Sequence, residues 1–174
     1  TGQFLHESPY DSLANASVAN LYLRNAQLAG HDLKGVDFRD SNMCDANLEG
    51  ADLTGAALDD VDLSRSNLRH AKLDYASCYR TRLSRADLTG VRATQVHFLE
   101  AALEHAIASD ADFTGAEFQQ VNMHGTRADG AVFRNCQFEG CDLSRGSFRR
   151  AVFSGSQLAQ VNLEYACLTD ALVR

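Results

Sequence analysis

Residues 46–60 read ANLEG ADLTG AALDD, and this five-residue period decides the fold. The third residue of each unit is leucine and the first is alanine. From Val18 to Val173 the third position, here called the centre, always holds a residue that prefers to be buried, without one insertion or deletion. The first position is almost always small from Ala16 onward. Neither series contains Asp, Glu, Lys or Arg, and His31 is the only strongly polar member.

A period of five matches neither the 3.6 residues of a helix turn nor the two of a strand. The chain must therefore turn repeatedly and stack short units on one another, as solenoids do. The fifth position of each unit, two residues after the centre, is the corner. Most corner glycines fall in two classes separated by multiples of twenty: Gly30, Gly50, Gly90, Gly130 and Gly35, Gly55, Gly115, Gly155. This spacing favours a four-sided coil of twenty residues, and we expect only those two corners to need a positive φ.

The repeated unit resembles the motif of the pentapeptide-repeat family, namely a small residue, Asp or Asn, Leu or Phe, Ser or Thr, and a variable residue. Close matches lie at residues 51–55, 86–90, 111–115 and 141–145. The resemblance covers nearly the whole chain. It implies an all-β, right-handed quadrilateral parallel β-helix in a single domain of about eight coils. Residues 91–110 depart most from the motif, but their apolar register persists, so we expect the same coil there.

The two ends of the chain differ from the middle. Residues 1–15 lack the clean motif and are interpreted as a lid over the first coil, followed by the β-helix at residues 16–174. The last residues are still in motif, so the final coil is expected to have an open hydrogen-bonding edge. A partner, a second copy, or the rest of a longer protein would cover that edge.

The composition excludes several classes of site. The dispersed apolar residues form neither a signal peptide nor a membrane span. The five cysteines form no CxxC pair and no metal-binding spacing with histidines, so we expect free, buried thiols, no metal and no cofactor. Reduced thiols favour the cytoplasm, or a secreted effector acting in a reducing host cytosol.

The inward positions offer no catalytic residues. His31 is expected to be a buried histidine that the lid hydrogen-bonds, because no other inward acid or base accompanies it. The remaining histidines are predicted to point outward and to be scattered: His6, His70, His97, His105 and His124. The sequence therefore predicts a protein that is not an enzyme.

Function is sought on the outer faces, where residues twenty apart stack into columns. The candidate acidic face consists of Asp37, Asp40, Asp59, Asp60, Glu100, Glu117 and Glu139. The candidate basic clusters are Arg65, Arg69, His70, Arg82 and Arg85, and further along Arg145, Arg149 and Arg150. A candidate apolar contact near the last coil consists of Val132, Val152 and Leu172, which suggests contact with another chain.

Two functions fit these surfaces. One is a non-catalytic, rigid scaffold for protein–protein interaction, such as the repeat domain of a larger bacterial protein or effector. The other is implied by the family resemblance: DNA mimicry directed at a type II topoisomerase such as gyrase. A duplex of about 38 Å carries about 22 negative charges, whereas the net charge here is −7. The acidic pI disfavours direct nucleic-acid binding, and the apolar contact favours an end-to-end homodimer through the C-terminal coils.

Overall fold

The computed structural model describes residues 12–173, which form a right-handed quadrilateral parallel β-helix with a coil of twenty residues. Four short strands lie along one side: β1 (His97–Leu99), β2 (Glu117–Gln119), β3 (Gln137–Glu139) and β4 (Gln157–Ala159). They pair in parallel in that order, each residue with the residue twenty positions later.

Isolated bridges with the same twenty-residue spacing continue this side toward the first coil, as in Ser17 with Asp37, and join the other three sides, as in Val152 with Leu172. We number the sides by their first centres: face 1 (Val18), face 2 (Leu23), face 3 (Leu28) and face 4 (Leu33). Residues 91–110 stay in register with their neighbours, so the prediction of an uninterrupted coil is confirmed.

The five backbone amides of residues 47–51 show how one five-residue period satisfies its backbone donors. Four amides donate to backbone carbonyls: Asn47 to Ala26 of the preceding coil (2.9 Å), Leu48 to Asn67 (2.7 Å) and Gly50 to Arg69 (2.8 Å) of the following coil, and Ala51 to Leu48 (3.0 Å). The fifth amide, on Glu49, donates to the side-chain Oδ1 of Asn47 at 3.2 Å. Each coil is therefore bonded to both of its neighbours.

The fifth bond explains why the second position favours Asp or Asn. In twelve units the side-chain oxygen of an Asp or Asn at that position accepts the amide two residues later. At three places where the second position is Ser or Arg, a carboxylate of the preceding coil accepts the amide instead. Asp59 accepts from the amide of Tyr79 (3.0 Å), Asp74 from that of Thr94 (3.2 Å) and Asp129 from that of Arg149 (2.9 Å). At these three places an acceptor for the amide is kept although the motif is broken, because an unpaired amide beside the core is costly.

Replacing Asp112 with alanine tests this role. The Oδ1 atom of Asp112 accepts both the amide (3.0 Å) and the hydroxyl (2.6 Å) of Thr114. We expect Asp112→Ala to lower the free energy of unfolding by about 1–2 kcal/mol, because both donors lose their partner. Urea unfolding measures this loss. Asp112→Asn keeps the oxygen and is the matched control, so an equal loss in both variants would contradict the assignment.

The prediction about the corners is wrong. Every corner residue from Asn15 to Asp170 has a positive φ, and most of these residues are not glycine. Glycine has another role, since several glycines lie beneath the corner side chain of the preceding coil. A Cβ at Gly90 or Gly125 would lie 2.6 Å from Nδ1 of His70 or His105, whereas a Cβ at Gly50 would meet nothing. Glycine therefore makes room for a stacked side chain, and the four-sided coil that its spacing predicted is observed.

The centres fill the interior as predicted, with leucine in the first half and phenylalanine in the second. The rings of Phe98, Phe118 and Phe138 stack at centroid distances of 5.3 and 4.5 Å. A second stack, from Phe113 through Phe133 to Phe153, lies beside the first with spacings of 5.2 and 4.9 Å. Edge contacts such as Phe118 with Phe133, at 5.9 Å, join the two stacks. The interior is thus continuous from coil to coil.

Polar groups at inward positions are bonded to the backbone. The hydroxyl of Thr81 donates to the carbonyl oxygen of Leu58 at 2.8 Å, and that of Thr126 donates to the carbonyl oxygen of Leu103 at 2.7 Å. The thiol of Cys136 donates to the carbonyl oxygen of Phe113 at 3.0 Å. No buried side-chain nitrogen or oxygen in residues 12–173 lacks a partner. The interior of the described coils therefore holds no free hydroxyl or carboxylate for chemistry.

The described residues include only a small part of the predicted lid and nearly all of the last coil. Most of the predicted lid, residues 1–11 of 1–15, lies outside the described residues. In the last coil the centres Leu158, Leu168 and Val173 are exposed, whereas centres in the middle of the rod are buried.

Candidate functional site

Among residues 12–173, His31 is the only histidine at an inward position, and the structure corrects its expected burial. It is half-buried, and its Nδ1 lies 3.1 Å from the carbonyl oxygen of Ala29. The proposed bond to the lid falls outside the described residues. Among residues 12–173 no group of His, Cys, Asp or Glu could hold a metal, and no helix could cross a membrane.

The outward histidines are less scattered than predicted. His70, His97 and His105 are exposed, as expected, but His124 is half-buried. The ring of His124 meets the ring of His105 edge to face at 5.7 Å. His6 lies outside the described residues.

The acidic face follows face 1 and its corner, but cations neutralise part of it. Arg39 pairs with Asp37 at 2.7 Å and Arg80 with Asp60 at 2.7 Å. The hydrogen bond from Arg39 lowers the pKa of Asp37 to about 2. Two more carboxylates of this face have polar partners. Asp59 accepts hydrogen bonds from the hydroxyl of Ser77 and the amide of Tyr79, and Glu117 lies 2.9 Å from Nδ1 of His97.

Three members of the acidic face have no side-chain bond or ion pair within residues 12–173. They are Asp40, Glu100 and Glu139. Asp40 and Glu100 are corner residues and Glu139 lies in β3, so the free carboxylates are spread along the rod. The acidic face is therefore a column of separated charges rather than a continuous strip.

The first basic cluster is largely paired with acids. Arg65 binds Asp45 at 2.7 Å, and its hydrogen bond is the largest cause lowering the pKa of Asp45 to about 2. Two more of its arginines have acidic partners: Arg69 with Asp87 (3.2 Å) and Arg82 with Asp62 (3.9 Å). Such pairs could have been found by comparing charges eighteen to twenty residues apart. Arg85 makes no ion pair within the described coils.

No arginine side chain of the second basic cluster forms an ion pair within residues 12–173, although the backbone amide of Arg149 donates to Asp129. Arg145 lies over the ring of Tyr165, with its guanidinium carbon 5.1 Å from the ring centroid. Arg149 donates from Nε to the Sγ atom of Cys167 at 3.3 Å. Arg145, Arg149 and Arg150 are therefore the more strongly cationic of the two clusters.

All five cysteines are free thiols, and four of them are buried. Burial raises the pKa of Cys78 and of Cys136 to about 12. Cys167 differs, because hydrogen bonds from Thr169, followed by that from Arg149, lower its pKa to about 7. Sequence reasoning treated the five alike, since the contacts of Cys167 come from the folded coil.

Cys167 is expected to be the first thiol to react in the native protein. Near neutral pH about half of it is thiolate, whereas the buried cysteines stay protonated. Mass spectrometry after brief iodoacetamide treatment at several pH values measures its apparent pKa. Thr169→Val should raise that pKa and slow the reaction at pH 7. Alkylation of Cys78 at the same rate as Cys167 would contradict this expectation.

The candidate apolar contact is a true column. Val132, Val152 and Leu172 are linked in sequence by parallel bridges. The two valines are half-buried and Leu172 is 49% exposed. The column becomes more exposed toward the last coil.

Comparison with known proteins identifies the repeat. The family model described as pentapeptide repeats (8 copies) matches residues 22–60, 51–90, 62–98, 97–135 and 136–174. A comparison with curated protein sequences gives no significant match.

Two solved structures have the same fold. HetL, a pentapeptide-repeat protein involved in heterocyst differentiation regulation from the cyanobacterium Nostoc sp., is 24% identical, with a TM-score of 0.64 and coverage of 92% of this chain and 86% of HetL. Full-length QnrB1, a plasmid-mediated fluoroquinolone resistance protein, is 20% identical, with a TM-score of 0.71 and coverage of 89% and 85%. The repeat unit, the coil and the family model agree, and the chain belongs to the pentapeptide-repeat family.

Proposed function

We propose that the protein is a rigid, non-catalytic scaffold that binds a protein partner through its outer faces. The observation that carries this proposal is the division between a filled interior and charged columns held at fixed positions outside. The matching family model describes a repeat and no catalytic family. The free thiols favour action in the cytoplasm or in a reducing host cytosol.

Neutralising the free carboxylates of the acidic face tests the scaffold. The face variant carries Asp40→Asn, Glu100→Gln and Glu139→Gln. The matched control carries Asp32→Asn, Glu164→Gln and Asp170→Asn, which remove the same charge elsewhere. Affinity capture and cross-linking should find a protein that wild type and control retain and the face variant loses. Equal retention by all three would show that this face does not bind the partner.

DNA mimicry directed at gyrase is the second candidate. The free carboxylates Asp40, Glu100 and Glu139 favour it, whereas the ion pairs of Asp37 and Asp60 leave fewer charges than a duplex presents. A gyrase supercoiling assay with quinolone or without it separates the two candidates. Inhibition or protection at micromolar protein would favour mimicry, and no effect would eliminate it.

We also propose an end-to-end homodimer through the C-terminal coils. The apolar column of Val132, Val152 and Leu172 and the exposed centres of the last coil support it. Sedimentation should give a dimer mass for wild type and a monomer mass for Val152→Asp. Ala57→Asp introduces the same charge at the same position of face 1 and should leave the dimer intact. A monomeric wild type would eliminate the dimer.

A further inference from the structure

A groove of about 280 Å³ lies at the corner between faces 1 and 2, in the first coils of the rod. Two outward columns border it, the corner column that begins at Asn20 and the face 2 column that begins at Tyr22. Its full lining is Asn20, Leu21, Tyr22, Asp40, Ser41, Asn42, Asp60, Asp62 and Arg82. Sequence reasoning did not identify this groove, because no motif marks it.

The charge of the groove is unevenly distributed. Arg80 already pairs with Asp60, and Arg82, which also lines the groove, lies 3.9 Å from Asp62. Asp62 also accepts a hydrogen bond from the amide of Ser64 at 3.0 Å. Asp40 makes no side-chain bond or ion pair within residues 12–173, and it is exposed. The groove therefore offers an unpaired carboxylate beside two carboxylates that are already engaged.

An aromatic ring accompanies that carboxylate. Tyr22 is 86% exposed, the highest value among the large apolar residues of the described chain. A ring and a carboxylate together suit a guanidinium group, which stacks on one and pairs with the other. The protein uses this combination itself, since Arg80 lies 4.7 Å over the ring of Tyr79 while pairing with Asp60.

We propose that this groove binds an arginine side chain of a partner protein. The assignment rests on the proposed scaffold function, to which it adds the chemistry of the partner. Charge disfavours the other occupants: residues 1–11 contain no Lys or Arg and carry Glu7 and Asp11, and a phosphate backbone would meet carboxylates. Arginine is preferred to lysine because only its planar group both stacks and forms bidentate pairs.

Amide NMR spectra titrated with N-acetyl-arginine amide test the proposal. We expect shifts confined to residues 20–22, 40–42 and 60–62, with a dissociation constant of roughly millimolar size, since the probe is small. Tyr22→Ala and Asp40→Asn should each weaken binding by about threefold or more. Asp170→Asn removes the same charge from an exposed corner residue outside the groove and outside the acidic face, and should leave binding unchanged.

Several outcomes would overturn the proposal. One is the absence of localised shifts at roughly 20 mM probe. Another is an equal set of shifts with N-acetyl-norleucine amide. A third is binding of N-acetyl-lysine amide that is as tight as binding of the arginine probe. Groove amides that shift on simple dilution of the protein would instead identify a second copy as the occupant. Because Tyr22 and Asp40 are exposed, their variants should keep the wild-type spectrum elsewhere. If the arginine probe does not bind but the face variant still loses its protein partner, the arginine site is wrong and the proposed scaffold function stands.

Discussion

Replacing Phe118 with alanine should lower the free energy of unfolding by about 3–5 kcal/mol. Phe118 is buried at the middle of the double stack, 4.5 Å from Phe138 and 5.3 Å from Phe98. The variant loses the transfer free energy of the ring and leaves a cavity. The surrounding coils cannot close that cavity, because hydrogen bonds to both neighbours fix their spacing. Urea unfolding followed by circular dichroism measures the loss.

Phe118→Leu is the matched variant, since it keeps an apolar side chain of intermediate volume. It should lose clearly less stability than Phe118→Ala. A loss below about 1 kcal/mol in the alanine variant would show that the ring stack is not close-packed.

Proline at a corner should have an effect of similar size, although the side chain that it replaces is exposed. Gln120 is an exposed corner residue with φ of 53°, and its amide donates to the carbonyl of Glu139 at 2.8 Å. Proline fixes φ near −65° and has no N–H, so it cannot adopt this conformation or make this bond. We expect Gln120→Pro to cost more than about 3 kcal/mol, measured by urea or thermal unfolding.

Gln120→Gly is the control because it keeps both the amide and access to positive φ. It should change the free energy of unfolding by no more than about 1 kcal/mol. Equal losses in the two variants would show that the Gln120 side chain, rather than the corner backbone, is responsible.

The exclusion of charge from two inward series made a stacked coil predictable. The spacing of the glycines favoured four sides, and the right-handed β-helix was implied by the family resemblance. The corner prediction failed because it read glycine as a backbone requirement. Residues such as Tyr75 and Arg80 adopt the same positive φ, so the coil imposes that conformation on residues other than glycine as well. Outward residues twenty apart lie beside one another, as the parallel bridges show, because the period alone sets this register.

The chemistry of those columns was harder to predict. The pairing of Arg65 with Asp45 could have been derived from the twenty-residue register. The lowered pKa of Cys167 could not, because it depends on how Arg149 and Thr169 orient their side chains. The groove beside Tyr22 likewise depends on the space between two columns, which a list of residues does not give.

The bonding of each coil to the coils before and after it has a consequence for how the molecule can vary. One added residue would rotate every later column by one position, bringing charged side chains into the interior. A complete coil, such as residues 101–120, could instead be duplicated, and every later side chain would keep its direction. The length of this protein can therefore change by whole coils of twenty residues, while the shape of its cross-section stays the same.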